Sequence, residues 1–245
     1  MSPKIRINRF LASAGIGSRR NCEDLIREGR VQVNSETIWE LASFIDTDSD
    51  HVCVDGKSVE QVARKMILVI DKPLGVLSTV KDERGRKTVI ELAREMGFGE
   101  RLFPVGRLDM DTTGLLLLTN DGDLAFRLTH PRFKIEKRYI VTVEGMIEDR
   151  TVETIGSGVD LGDYITIPCT VKVIGRTDDH SSLEIRLKEG KKRQIRRMFA
   201  ESGHKVLELR RVALGDLEFN DLDPGGIRPL TEEEEFRLRE LTGLL

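Results

Sequence analysis

Asp109 stands two residues after Arg107 in the stretch Gly106-Arg107-Leu108-Asp109-Met110-Asp111-Thr112-Thr113-Gly114, directly ahead of the apolar run Leu115 to Leu118. Gly106 and Gly114 permit tight backbone turns, and Thr112 and Thr113 can satisfy local donors or the carboxylate itself. Such a loop can present an ionised aspartate rigidly beside a buried strand. Farther along, residues 188–197 carry Lys188, Lys191, Lys192, Arg193, Arg196 and Arg197 against Glu189 alone. One acidic catalyst within a basic surface suits a polyanion with a reactive base or sugar. An arginine near Asp109 would keep the carboxylate charged once substrate excludes water, and both Arg107 and Arg196 qualify.

Other chemistries fit the residues less well. Asp109 and Asp111 could form a glycosidase pair, which needs two carboxylates with separated pKa values. A metal-dependent hydrolase needs more oxygen ligands or a histidine set, and His51, His130, His180 and His204 lack zinc-like spacing. The two aspartates could also merely organise turns. Cys22, Cys53 and Cys169 are scattered and odd in number, which argues against a disulfide framework and fits a reducing cytoplasm. Lys72, in the turn Asp71-Lys72-Pro73-Leu74-Gly75, could contact phosphate or simply form the turn.

The net charge of -3 conceals a strong asymmetry. Residues 1–34 carry seven basic and three acidic side chains, whereas residues 216–240 carry nine acidic and three basic. With 39% apolar and 33% charged residues the chain reads as soluble and globular, and Leu115 to Leu118 is far too short to span a membrane. The start of the chain lacks the apolar stretch of a secretory signal. A cytoplasmic monomer is expected.

Two sets of elements must position these residues. Near the start, Ile5, Ile7, Phe10, Leu11 and Ala14 predict a short helix closed by Gly15, and Ser18 can cap a second helix that ends at Gly29. Residues 30–34 and 51–57 alternate like strands, with turns at Asn34-Ser35 and Asp55-Gly56. Gln61 to Lys65 reads as a connector. Beyond it, strands are expected over Met66–Ile70, Leu115–Thr119, Arg138–Val143, Thr166–Ile174, Ser182–Leu187 and Val206–Val212. Helices are expected after Thr88, over Leu124–Leu128, and over Arg193–Ser202. Strands recur without regular strand–helix alternation, so the fold class is α+β with a mixed, largely antiparallel sheet. The expected domains are 1–62 and 63–245.

The segments GRLDMDTTGLLLLTNDGDLAFRLTHP, EKRYIV and LKEGKKRQIRRMFAESGHKVLELRR resemble the RsuA/RluB family of ribosomal RNA pseudouridine synthases. Residues 5–58, including SRRNCEDLIREGRVQVN, resemble the S4 RNA-binding domain that precedes this catalytic domain. The resemblance implies that Asp109 is the essential catalyst, that Tyr139 packs against the target base, and that Arg196 partners the aspartate. Uridine would be isomerised to pseudouridine in ribosomal RNA, with no cofactor and no metal. Residues 82–89 and the short C-terminal region resemble the RluB-like branch, which points to 23S rRNA near the peptidyl-transferase region, or a large-subunit assembly intermediate. A 16S rRNA enzyme is one alternative, and a noncatalytic RNA-binding ribosome-assembly protein is another. Lys188, Lys191, Lys192, Arg193 and Arg197 are candidate phosphate contacts, as are Arg19, Arg20, Arg27 and Arg30 of the first module. Each could instead be solvated or paired, for example with Glu23 or Glu28.

Overall fold

The computed structural model describes residues 4–60, 65–218 and 222–245. The expected connector at Gln61–Lys65, except Lys65, and the expected boundary between residues 62 and 63 lie outside these. The chain forms two compact units, Met1–Lys65 and Met66–Leu245.

The first unit runs β1 (Lys4–Arg6), α1 (Ile7–Ser13), α2 (Arg19–Arg27), β2 (Val31–Val33), β3 (Glu36–Thr37), β4 (Phe44–Asp46), β5 (Val52–Val54) and β6 (Lys57–Ser58). Ile5 belongs to β1, paired antiparallel with β4, and so precedes the helix in which it was expected. Ser18 caps α2 by accepting from the Asn21 N–H at 3.1 Å. Asn34, Ser35, Asp55 and Gly56 all have positive φ, as two-residue hairpin turns require. A four-stranded sheet, β3-β2-β5-β6, packs Val31 and Val52 against Ile7, Leu11, Cys22 and Ile26. Cys22 is fully buried and serves as core.

The second unit continues with β7 (Ile67–Lys72), α3 (Val89–Glu95), β8 (Phe103–Pro104), β9 (Thr113–Thr119), α4 (Gly122–Thr129) and β10 (Lys137–Glu144). Then follow α5 (Asp149–Ser157), β11 (Thr170–Arg176), β12 (His180–Leu187), α6 (Gln194–Glu201), β13 (Val206–Leu214), β14 (Leu217–Glu218), β15 (Ile227–Pro229) and α7 (Glu232–Thr242). They build a nine-stranded sheet in the order β11-β12-β10-β13-β9-β7-β15, with β14 on β13 and β8 on β9. The β13–β9 pair is parallel and the other pairs are antiparallel, which is the expected α+β arrangement.

The continuous leucines of β9 have a simple cause. Leu115 and Leu117 pack with Ile67, Val69, Leu124 and Leu128, while Leu116 and Leu118 pack with Leu68, Ile70, Val89 and Ile90. Both faces of the central strands are covered, so no position can be polar without cost. Beyond this centre, Ile195, Met198 and Phe199 of α6 pack onto Val141, Leu183 and Ile185 of the sheet.

Several boundaries differ from expectation. β11 begins at Thr170 rather than Thr166, because Pro168 has no N–H to give a ladder. α6 begins at Gln194, since Arg193 has φ of 50° and lies outside the helix. The acidic stretch near the end is not only a charge run: Glu232–Glu235 form the first turn of α7.

Candidate active site

The loop between β8 and β9 carries Asp109 and is held from several sides. Ser78 Oγ donates to the Leu108 carbonyl at 2.9 Å and accepts from the Leu108 N–H at 3.1 Å. The Gly75 N–H donates to the Met110 carbonyl at 2.9 Å, so the turn after β7 backs the loop. Thr112 N–H closes a turn on the Asp109 carbonyl at 3.0 Å. Thr112 Oγ1 is buried and makes no hydrogen bond among the described residues, so it does not satisfy the carboxylate as expected.

Gly114 has a different task from the turn expected of it. It lies in β9 beside Arg211 of β13, with φ of 102°, and a Cβ there would fall 2.2 Å from the Arg211 carbonyl oxygen. Only glycine lets the parallel strands meet at this point. Gly106, with φ of 73°, does turn the chain into the loop.

Asp109 is half-buried and lines an open cavity of about 270 Å³ with Tyr139, Arg193, Gln194, Ile195 and Leu209. Its carboxylate makes no hydrogen bond or ion pair among the described residues. Arg107, also on the cavity wall, is exposed and unpaired among the described residues. Arg196 engages Asp111 rather than Asp109. Its Nη2 donates to the Asp111 carbonyl at 2.6 Å, and its Nε lies 3.2 Å from the Asp111 carboxylate. That Nε is buried and lacks the alignment of a hydrogen bond. Arg193 binds the same carboxylate with two nitrogens, at 3.1 and 2.9 Å. These hydrogen bonds from Arg193, with the charge of Arg196, hold Asp111 below the ordinary carboxylate range.

Lys72 is fully buried at the end of β7. Its Nζ donates to the Pro73 carbonyl at 2.9 Å. Burial pulls the ammonium down to about 8, against the opposing pull of Asp111 and Asp109. The neighbouring Asp71 is 1% exposed and takes a bidentate pair from Arg210 at 2.9 and 2.7 Å, tying β7 to β13 across β9. Neither the Asp71–Arg210 pair nor the Ser78–Leu108 brace is expected from the sequence, because each joins residues far apart in the chain.

The basic candidates divide. Lys188 and Lys192 are exposed and free of ion pairs among the described residues, and Lys191 lies over the Tyr164 ring at 5.5 Å. Arg193 is committed to Asp111, and Arg197 to Asp163 and the Leu161 carbonyl. In the first unit Arg19 and Arg20 are exposed and unpaired among the described residues. Arg27 pairs with Asp24 at 2.7 Å, and Arg30 takes Asp55 in a bidentate pair at 2.8 and 2.6 Å. Among the described residues no three His, Cys, Asp or Glu side chains gather as a metal site.

Residues 66–201 match the RNA pseudouridylate synthase family, and residues 5–38 match the S4 domain. An uncharacterized RNA pseudouridine synthase of Aquifex aeolicus is 40% identical over 98% of this chain and 96% of its own. The ribosomal large subunit pseudouridine synthase B of Bacillus subtilis is 38% identical over 96% of each chain. A crystal structure of a pseudouridylate synthase aligns with a TM-score of 0.68 at 29% identity, covering 96% of this chain and 99% of that one. With an S4 domain ahead of a mixed sheet that carries the aspartate loop, the chain belongs to the RNA pseudouridylate synthase family and is an isomerase that acts on RNA.

Proposed function

We propose that this isomerase acts on ribosomal RNA, in the RluB-like branch of the RsuA/RluB group, at a uridine of 23S rRNA near the peptidyl-transferase region. We assign Asp109 as its catalyst. The observation that carries the catalytic assignment is an unengaged carboxylate in an open cavity, on a loop braced by Ser78, Gly75 and Arg196. The likeness to the Bacillus subtilis large-subunit enzyme supports the choice of RNA.

The isomerisation breaks the N1–C1′ bond, turns the uracil and joins C5 to C1′. The C5 proton leaves, N1 gains one, and the oxidation state is unchanged. The Asp109 carboxylate serves either route to the broken bond, by attack at C1′ or by taking the C2′ proton. Stacking of the everted base on Tyr139 contributes about 1–3 kcal/mol. Eversion costs a few kcal/mol, least in a loop, and contacts from Lys188 and Lys192 to the RNA backbone offset it.

Full-length protein incubated with unmodified ribosomal RNA, without added cofactor, should produce pseudouridine at one mapped position in 23S rRNA. Modification confined to 16S rRNA would move the enzyme to the small-subunit branch. Tight RNA binding with no pseudouridine in either RNA would favour the noncatalytic reading.

A further inference from the structure

A second cavity, of about 150 Å³, adjoins the one that holds Asp109 and shares Gly106, Arg107, Tyr139, Glu189 and Gly190 with it. Lys137 and Arg211 also line it, and the strand register explains why. Tyr139 of β10 stands opposite Arg211 of β13, and Lys137 lies two residues before Tyr139 on the same face. A shift in register between Arg138 and Tyr139 passes over Val212 and brings Arg211 into this position. Such irregularities re-aim side chains beside active sites.

Arg211 is 3% exposed. Its Nε donates to the Leu115 carbonyl at 2.7 Å, but its Nη2 is buried with no partner among the described residues. No carboxylate pairs with it among the described residues. A guanidinium cannot shed its proton, so its burial goes uncompensated. Lys137 donates to the Ile135 carbonyl at 3.1 Å. Burial and then the charge of Arg211 push it down to about 8. Glu189 is the acidic residue on the cavity wall, and it is already taken by Gln194 Nε2 at 2.6 Å and the Ile167 N–H at 3.1 Å. Two adjacent cations with one unused donor call for an anion.

We propose that Lys137 and Arg211 form a phosphate subsite that receives one of the two phosphodiesters flanking the everted uridine. This rests on the reading of the Asp109 cavity as the uridine site, from which Tyr139 leads directly into the subsite. Bound there, the phosphate would fix the ribose relative to Asp109 while the base lies on Tyr139.

The test uses full-length protein and an RNA fragment that the wild type modifies, so that a negative result bears on the subsite alone. The phosphodiester 5′ or 3′ of the target uridine is replaced by a neutral methylphosphonate. One replacement should slow wild-type single-turnover conversion about 10- to 100-fold, as expected for a lost charge-assisted contact. The same replacement should slow Lys137→Gln and Arg211→Gln less than about threefold further, because the contact is already absent. Tolerance of both replacements by the wild type, or losses that simply multiply, would overturn the proposal. If Arg211→Gln does not fold, Lys137→Gln decides alone. Inorganic phosphate at constant ionic strength should compete with intact RNA. Acceleration by phosphate would assign the subsite to a free anion instead of the strand.

Discussion

Arg196 holds Asp111 at two points, through its backbone carbonyl and its carboxylate, two residues beyond Asp109. Arg193 grips the same carboxylate from outside. Asp111 is therefore the fixed point on which both arginines are arranged, and Asp109 stays open to the cavity. Asp111→Asn should slow single-turnover conversion about 10- to 100-fold by misplacing the loop. RNA affinity should not weaken, because Arg193 is released to meet phosphate. A mutant that loses affinity and keeps its rate would assign Asp111 to binding instead.

Ser78 is 8% exposed and bonds both backbone groups of Leu108, so its hydroxyl is the internal brace of the loop. Ser78→Ala leaves a buried N–H and carbonyl unpaired, which should cost about 1–3 kcal/mol per group at most. Thermal melting should report the lost stability, and conversion should slow with little change in RNA affinity. An unchanged melting temperature together with an unchanged rate would remove Ser78 from this role.

The buried Lys72 gives the fold a pH dependence of definite sign. Its ammonium titrates near 8 in the folded chain and at its ordinary value, 10.5, when unfolded. Between these values the unfolded chain binds more protons, so this lysine makes stability rise with pH. Below about 8 both states are protonated and its burial cost is constant. Lys72→Met should therefore stabilise the protein most, relative to wild type, below pH 8, and the difference in melting temperature should shrink toward pH 10. A constant difference would show that the lysine is not the titrating group.

Gly114→Ala places a methyl group 2.2 Å from the Arg211 carbonyl oxygen. Neither backbone can move without breaking the parallel β13–β9 pairing. The expected loss exceeds about 4 kcal/mol, in the range of severe single substitutions. Denaturant unfolding or loss of soluble protein would show it; a wild-type midpoint would contradict the close approach.

Local features of this fold were legible because their causes are local. Ser18, Thr88 and Asp121 cap helices by direct contact with the next turn, and Asn34-Ser35 and Asp55-Gly56 adopt the left-handed conformations that their types favour. The run Leu115–Leu118 announced a strand with both faces covered. Helix α7 was readable as well, since Thr231 and Glu234 make a capping box and four glutamates suit a helix start. By contrast, Asp71 with Arg210, and Tyr139 with Arg211, meet through strand order across long stretches of chain. No periodicity carries that information. For the same reason the sequence could nominate Arg196 as an arginine near the loop, while the structure was needed to place it on Asp111.

The most direct measurement compares Asp109→Asn with wild type on one RNA, reading single-turnover pseudouridine formation and RNA affinity in parallel. The substitution keeps the size of the side chain and removes its charge. Conversion should fall below detection while the dissociation constant changes less than about threefold, because no described residue depends on that carboxylate for its position. Pseudouridine formed by Asp109→Asn at the wild-type rate would contradict the assignment of this aspartate as the catalyst.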